Sequence, residues 1–188
     1  MIAKANLGER TTQLMEAMRE RRLIRLSRRF EEAQIAGYVI AVGPGLVLLA
    51  LVNGSIRLDG YECFRLSDVT AVEPDPYADF VEAALKARGQ KLPEQPPVSV
   101  ANIEELLVTA GQAFPLVTVH LEKTDPDVCW IGKILEVDGG KVALREIGPD
   151  AVWEPIPAAY LTQEITRVDF GGDYEAALYL VGGEPKVN

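Results

Sequence analysis

Long apolar runs are missing from this chain, and histidine and cysteine are scarce. The longest apolar candidate, Tyr38 to Val52, is broken by Gly43-Pro44-Gly45, so no stretch is long enough to suggest a membrane span. The opening residues, MIAKANLGERTTQ, have no apolar core of the kind a secretory signal needs. The two cysteines, Cys63 and Cys129, lack the spacing of a metal site and cannot make a disulfide framework. They read as buried free thiols, which suits a reducing compartment, and the expected location is the cytoplasm. Aromatic residues are 7% of the chain, so the core must rest on Val, Leu, Ile and Ala. Basic residues are outnumbered 19 to 28, and the net charge of −9 argues against non-specific binding to phosphate backbones.

These shortages also thin out the candidate chemistry. His120 is the single histidine; a Ser–His–Asp triad would have to use it, and no G-x-S-x-G elbow supplies the nucleophile. It reads as a residue on the polar face of a strand, with Glu122 on the same face. Asp125-Pro126-Asp127 and the Asp169/Asp173 pair lack the ligand run of a calcium loop and read as turn formers and helix caps. The glycine turns at 42–45, 138–140 and 171–172 are not followed by the lysine and long helix of a phosphate-binding loop. No catalytic residue, metal ligand or cofactor is assigned, and no small-molecule substrate is implied. The chain reads as a non-enzyme.

What is present is a pattern that occurs twice. The chain has 188 residues, 48% hydrophobic and 25% charged, enough for one large or two small domains. The second half begins with a helix over about 100–113, capped by Ser99. Strands follow over 115–123, 129–137, 141–147, 151–161 and 163–170, the fourth weakened by Pro155 and Pro157, and a short helix over 173–180 closes the half. In the first half, residues 11–21 form a helix with Thr11 or Thr12 as cap. Strands are expected over 23–30 (a continued helix being the alternative there), 37–42, 46–51, 55–64 and 66–73, with a helix over 75–88. Asn53-Gly54 is the strongest short hairpin signal. Gly37-Tyr38-Val39-Ile40 parallels Gly132-Lys133-Ile134-Leu135, and FVEAAL (80–85) parallels DYEAAL (173–178). These matches predict an internal duplication. The domains expected are residues 1–88 and 98–188, joined by the Pro-rich linker 89–97.

A helix followed by five short bent strands resembles the Sm-like small β-barrel, in two tandem copies. Gly37 and Gly132 match the glycine that lets the second strand bend, and Asp138 matches the acidic turn between the second and third strands. The resemblance implies an α+β, mainly β protein: two five-stranded barrels, each with an N-terminal helix. In that family RNA sits against an Asp-x-x-Met-Asn loop and an Arg/Lys-Gly loop. This chain has Asp138-Gly139-Gly140-Lys141-Val142 and Leu161-Thr162-Gln163-Glu164 at those places, so the family's usual RNA site is not expected. The family's ring assembly by edge pairing implies that a fused pair of barrels acts as a built-in dimer.

Two further features bear on partners. Residues 1–30 carry eight basic and three acidic groups, a net of +5, which leaves −14 on the rest of the chain. Six of the eight basic groups are Arg19, Arg21, Arg22, Arg25, Arg28 and Arg29. No aromatic residue interleaves with them before Phe30, so they read first as a solvated face pairing with the acidic body, and as a nucleic-acid site only in the alternative. Trp130 and Trp153 read as core or rim aromatics, or as anchors at a protein interface. The leading expectation is an interaction or assembly module that binds a protein partner or itself. The alternatives are a nucleic-acid binder using the arginines, and an immunity- or antitoxin-like partner of a basic protein, which the acidic body would suit.

Overall fold

The alternating runs become ten strands, with helices against them. The computed structural model describes residues 6–186; Lys4, counted above among the basic groups, lies outside the described residues. The first half contains α1 (Leu7–Glu20), β1 (Leu23–Arg28), β2 (Ile35–Val42), β3 (Leu46–Val52), β4 (Leu58–Arg65), a 3-10 turn (Leu66–Asp68), β5 (Val69–Pro74) and α2 (Ala78–Ala87). The second contains α3 (Ile103–Ala113), β6 (Val117–His120), β7 (Cys129–Asp138), β8 (Lys141–Glu146), β9 (Ala158–Leu161), β10 (Arg167–Phe170) and α4 (Asp173–Gly182). The protein is therefore α+β and mainly β. Among the described residues no helix is long and apolar enough to cross a membrane.

The strands pair antiparallel in one ten-stranded sheet, ordered β5-β1-β2-β3-β4-β10-β6-β7-β8-β9. This differs from the expected pair of separately closed barrels, because the sheet is open and runs through both halves. Instead of turning back to β9, β10 pairs with β4 of the other half. Joining a neighbour's edge satisfies the same backbone groups that closure would. The alternative partner is also poor: β9 has only four residues and follows Pro155 and Pro157, which donate no N–H.

The strand registers of the two halves correspond in detail. Each half has the order fifth-first-second-third-fourth strand. The β2–β3 ladder slips between Val39 and Ala41, and the β7–β8 ladder slips between Ile134 and Glu136, at the equivalent place. Both bend glycines lie against the third strand of their own half. A Cβ on Gly37 would come within 2.7 Å of the Ala50 carbonyl oxygen, and one on Gly132 within 2.2 Å of that of Arg145. Both approaches are closer than real side chains make, so the strands can bend only where the side chain is missing.

Packing joins the halves. The largest cluster combines Ala41, Leu46, Leu48 and Cys63 of the first half with Leu106, Leu107, Val119, Leu144, Val168 and others of the second. A second cluster buries Leu14 and Ala17 of α1 against Ile24, Leu26, Val39, Leu49 and Phe64. Two smaller, equivalent clusters seat α2 on Leu23, Tyr38 and Val52, and α4 on Leu116 and Ile147.

Several local expectations are corrected. The cap of α1 is Asn6, in a reciprocal capping box with Glu9, and the Thr11 and Thr12 hydroxyls bond back to the carbonyls of Leu7 and Gly8. Asn102, not Ser99, caps α3. Asn53-Gly54 is not a two-residue turn: the Asn53 side chain accepts from the Ser55 and Arg57 amides and organises a longer loop before β4. The segment 151–161 is a strand only from Ala158, after Ala151 turns the chain at φ 59° and Trp153 makes a single bridge to Ile147. Residues 23–28 are a strand, which settles the helix alternative there. Cys63 is buried, but Cys129 is exposed at the start of β7.

Candidate functional site

Where β4, β10 and β6 run side by side, polar residues occupy one face. Glu62 lies opposite Asp169, and Asp169 opposite Thr118. In the next row Phe64 lies opposite Arg167, Arg167 opposite His120, and His120 opposite Cys129. Alternation alone would send these side chains to solvent. Here β6 lies inside the sheet and all four of its residues are buried; on the face that sequence reading assigned to water, Thr118 meets Glu175 of α4 and His120 meets Asp169 and Arg167 of β10. His120, expected at the surface, is buried for this reason.

The groups form a network across the seam. Arg28, at the end of β1, has no exposed side-chain area. It grips Glu122 through two parallel hydrogen bonds, Nη1–Oε1 at 3.0 Å and Nη2–Oε2 at 2.5 Å, and its guanidinium lies over the Phe64 ring, 4.7 Å from the centroid. The Arg167 Nη1 group reaches Glu31 at 2.7 Å, and its Nε lies 3.0 Å from Asp169 Oδ1, out of line for a hydrogen bond. His120 Nε2 is 2.7 Å from Asp169 Oδ2 and 3.1 Å from Arg167 Nη2; it donates to the carboxylate when it carries a proton and accepts from the guanidinium when it does not. Thr166 ties the backbone in, accepting from the Glu122 amide and donating to the His120 carbonyl.

Charges here shift one another. Burial would raise the Glu122 carboxyl, but the Arg28 hydrogen bonds and the charges of Arg28 and Arg167 outweigh it and hold the group below its usual range. Glu62 goes the other way. Burial and the facing Asp169 carboxylate push it up to about 8, against a weaker pull from Arg167. Burial alone would lower Arg167, but the carboxylates of Asp169, Glu62, Glu31 and Glu122 raise it.

The row His120–Cys129 invites a thiol-hydrolase reading, which the geometry does not support. No hydrogen bond joins the two side chains. Partial desolvation and the Asp169 carboxylate raise the Cys129 thiol, the opposite of what a thiolate nucleophile needs. Among the described residues no group of three or more His, Cys, Asp or Glu could hold a metal ion.

The arginines singled out in the sequence do not form one patch. Arg28 is consumed by the seam. Arg25 pairs with Asp75 at 2.8 Å, and Arg29 lies 3.5 Å from Asp68. Arg19 and Arg22 lie beside Glu20, and Arg21 takes the left-handed cap position of α1. One signal for Arg28 was legible: it shares the buried face of β1 with Ile24 and Leu26. Trp130 packs on Tyr160 with ring centroids 5.2 Å apart. Trp153 is half-buried, donates from Nε1 to the Gly182 and Gly183 carbonyls at 3.2 Å, and lines a groove of about 430 Å³. The sheet ends are the remaining feature. Each of β5 and β9 has one paired side and one free side. Large apolar side chains are exposed close by in the chain: Tyr77 and Phe80 after β5, Val152 and Ile156 before β9, with Ile156 78% exposed.

Comparison of the chain with family models, with curated proteins and with solved structures returned no match.

Proposed function

We propose that this chain is a non-enzymatic assembly module, two Sm-like units fused side by side, whose free strands β5 and β9 recruit further copies of the same chain or a protein carrying the same unit. The observation that carries this reading is the seam itself. Within the chain, the fourth strand of one unit pairs with the fifth strand of the next. Because both units have the same strand order, that junction leaves one fifth strand, β5, and one fourth strand, β9, each with an open outer side among the described residues. The two ends are complementary in kind, which suits head-to-tail association and a closed ring if the rotation per chain allows it. In the internal register, the equivalent external pairs are Ala71 opposite Tyr160, Val72 opposite Ala159 and Glu73 opposite Ala158. Pro157 stops the ladder there and keeps the edge short, which guards it against unspecific pairing. The exposed apolar residues beside both edges fit an interface.

The same arrangement gives the nucleic-acid alternative little support, since the arginines are dispersed or paired within the body. The free thiols fit a cytoplasmic setting. Light scattering on the chromatographed protein at high concentration is the test. The expected result is one discrete oligomer; a monomer across the whole concentration range would overturn self-assembly.

A further inference from the structure

Lys133 on β7 and Tyr179 on α4 converge on the carboxylate of Glu184. Lys133 Nζ donates to Oε2 at 2.5 Å and the Tyr179 hydroxyl to Oε1 at 2.6 Å. These two bonds hold the Glu184 carboxyl below its usual range. The duplication puts the same two residue types in the first half, with strand and helix exchanged. Lys133 follows the bend glycine Gly132, and Tyr38 follows Gly37. Tyr179 follows DYEAAL on α4, and Lys86 follows FVEAAL on α2. The helices are seated alike, Leu85 on Leu23 and Val52, Leu178 on Leu116 and Ile147. The carboxylate is what differs: the place of Glu184, five residues after Tyr179, is taken by Lys91, five residues after Lys86.

In the first half a cavity of about 250 Å³ lies there, between α2, β2 and the end of α1. Tyr38 and Lys86 line it, with Arg21, Glu82 and Gln90. Tyr38 is only 4% exposed. Its hydroxyl has no hydrogen-bond partner among the described residues and is not sealed in, so its open side is the cavity. Burial, with the charges of Glu82 and Asp75, pushes that hydroxyl up to about 12, which keeps it a donor at neutral pH. Gln90 accepts from the Leu58 amide through Oε1 at 3.0 Å, which leaves its Nε2 group to donate elsewhere. Of the six arginines in the basic segment, Arg21 alone has no ion pair among the described residues. It holds a left-handed position, φ 51°, that glycine usually takes.

We propose that this cavity binds a free α-amino acid with an aliphatic side chain, its carboxylate taken by Tyr38 and Lys86 as that of Glu184 is taken in the second half. Lys86 and Arg21 lie at helix C-terminal ends, where a cation is stabilising without any ligand. The Tyr38 hydroxyl, on a strand, has no such use. A buried donor is normally matched, and the matched pair in the second half shows which group this geometry accepts.

The rest of the lining sets the ligand class. Arg21 and Gln90 add donors for a carboxylate, which offers about four lone-pair sites. Glu82 lies one helical turn before Lys86 on the same cavity. It repels a plain carboxylic acid and attracts the ammonium of an amino acid. Leu85 and Leu92 give the side chain an apolar wall. At roughly 30 Å³ per water-sized volume, the cavity takes about eight non-hydrogen atoms, close to the size of leucine. This inference does not depend on the assembly reading.

Titration of the full chain with L-leucine at pH 7 and low ionic strength, followed by nuclear magnetic resonance of the backbone amides, tests it. The expected result is saturable shifts in β2, the second half of α2 and residues 21–22, with none around Glu184. Tyr38→Phe keeps the packed ring and removes only the hydroxyl; it is expected to bind about tenfold more weakly. Lys86→Met, at an exposed position, is expected to weaken binding several-fold and serves if Tyr38→Phe does not fold. Lys133→Met, the equivalent change at the filled site, is expected to bind leucine as the wild type does. Isocaproate and isoamylamine each lack one of leucine's two charges and are expected to bind at least about tenfold more weakly than leucine. No saturable shift with leucine, undiminished binding by Tyr38→Phe, an equal loss in Lys133→Met, or either analogue binding as tightly as leucine would each overturn the proposal.

Discussion

Arg28 and Glu122 are 94 residues apart in the chain, and they meet in a buried, two-pronged ion pair that joins the halves. Arg28 comes from the segment richest in positive charge and Glu122 from a strand whose polar face looked solvent-exposed. Removing either partner leaves a buried charge with a weaker answer, Glu31 at 3.3 Å for Arg28 or Arg167 at 3.9 Å for Glu122, so the cost is at the lower end of the usual range, about 3 kcal/mol, whereas replacing both by apolar residues removes the desolvation penalty too. Arg28→Ala and Glu122→Ala are each expected to lower unfolding free energy by about that much in urea titrations, and the double change Arg28→Met/Glu122→Leu to recover most of it. Single variants within about 1 kcal/mol of the wild type would show that the pair does not hold the halves together.

Glu62 and Glu122 make stability depend on pH in opposite senses. The folded Glu62 carboxyl, raised from 4.5 to about 8, holds a proton that the unfolded chain has already released. Its contribution is present below about 4.5 and lost as pH rises towards 8. The lowered Glu122 contributes stability above its unfolded value and loses it as pH falls through the folded one. The thermal midpoint of the wild type is expected to decline between pH 5 and 8, and that decline to flatten in Glu62→Gln. An equally steep decline in the variant would assign it to another group.

The sheet edges can be tested without touching the core. A lysine in place of Ala71 on β5, or of Ala159 on β9, puts a charge where the external ladder would form. Either single change is expected to reduce the oligomer to its smallest unit in light scattering. The far-ultraviolet circular dichroism spectrum should not change. Persistence of the full oligomer in both variants would move the interface away from the edges, towards the exposed Tyr77, Phe80, Val152 and Ile156.

Trp153 offers a local probe. Its Nε1–H satisfies two carbonyls at the end of α4. Phenylalanine keeps the ring and loses the donor, an expected cost of about 1 kcal/mol. Amide exchange at the end of α4 should speed up with it, while exchange in β1 to β5 stays as it was. Unchanged exchange at Gly183 would mean that the indole does not hold the helix end.

Much of the architecture was legible along the chain because it depends on neighbours in sequence. The alternation in β7 and β8, the turn at Asp138-Gly139-Gly140, the bend glycines and the repeated helix-then-strands order are short-range effects, and they placed most elements within a few residues. Misplaced caps and the overlong fourth strand came from side chains with several candidate partners, such as Asn6 against Thr11. The site was not legible. Alternation separates two faces of a strand but cannot tell which face another element will cover. His120 and Glu122 looked like a wet face because nothing local showed that β6 would be enclosed, and Arg28 looked like one charge among six. Only the joining of β4 to β10 brings Glu62 opposite Asp169 and Arg28 against Glu122. That pairing rests on backbone groups any strand possesses, and so leaves no mark in the residues that make it.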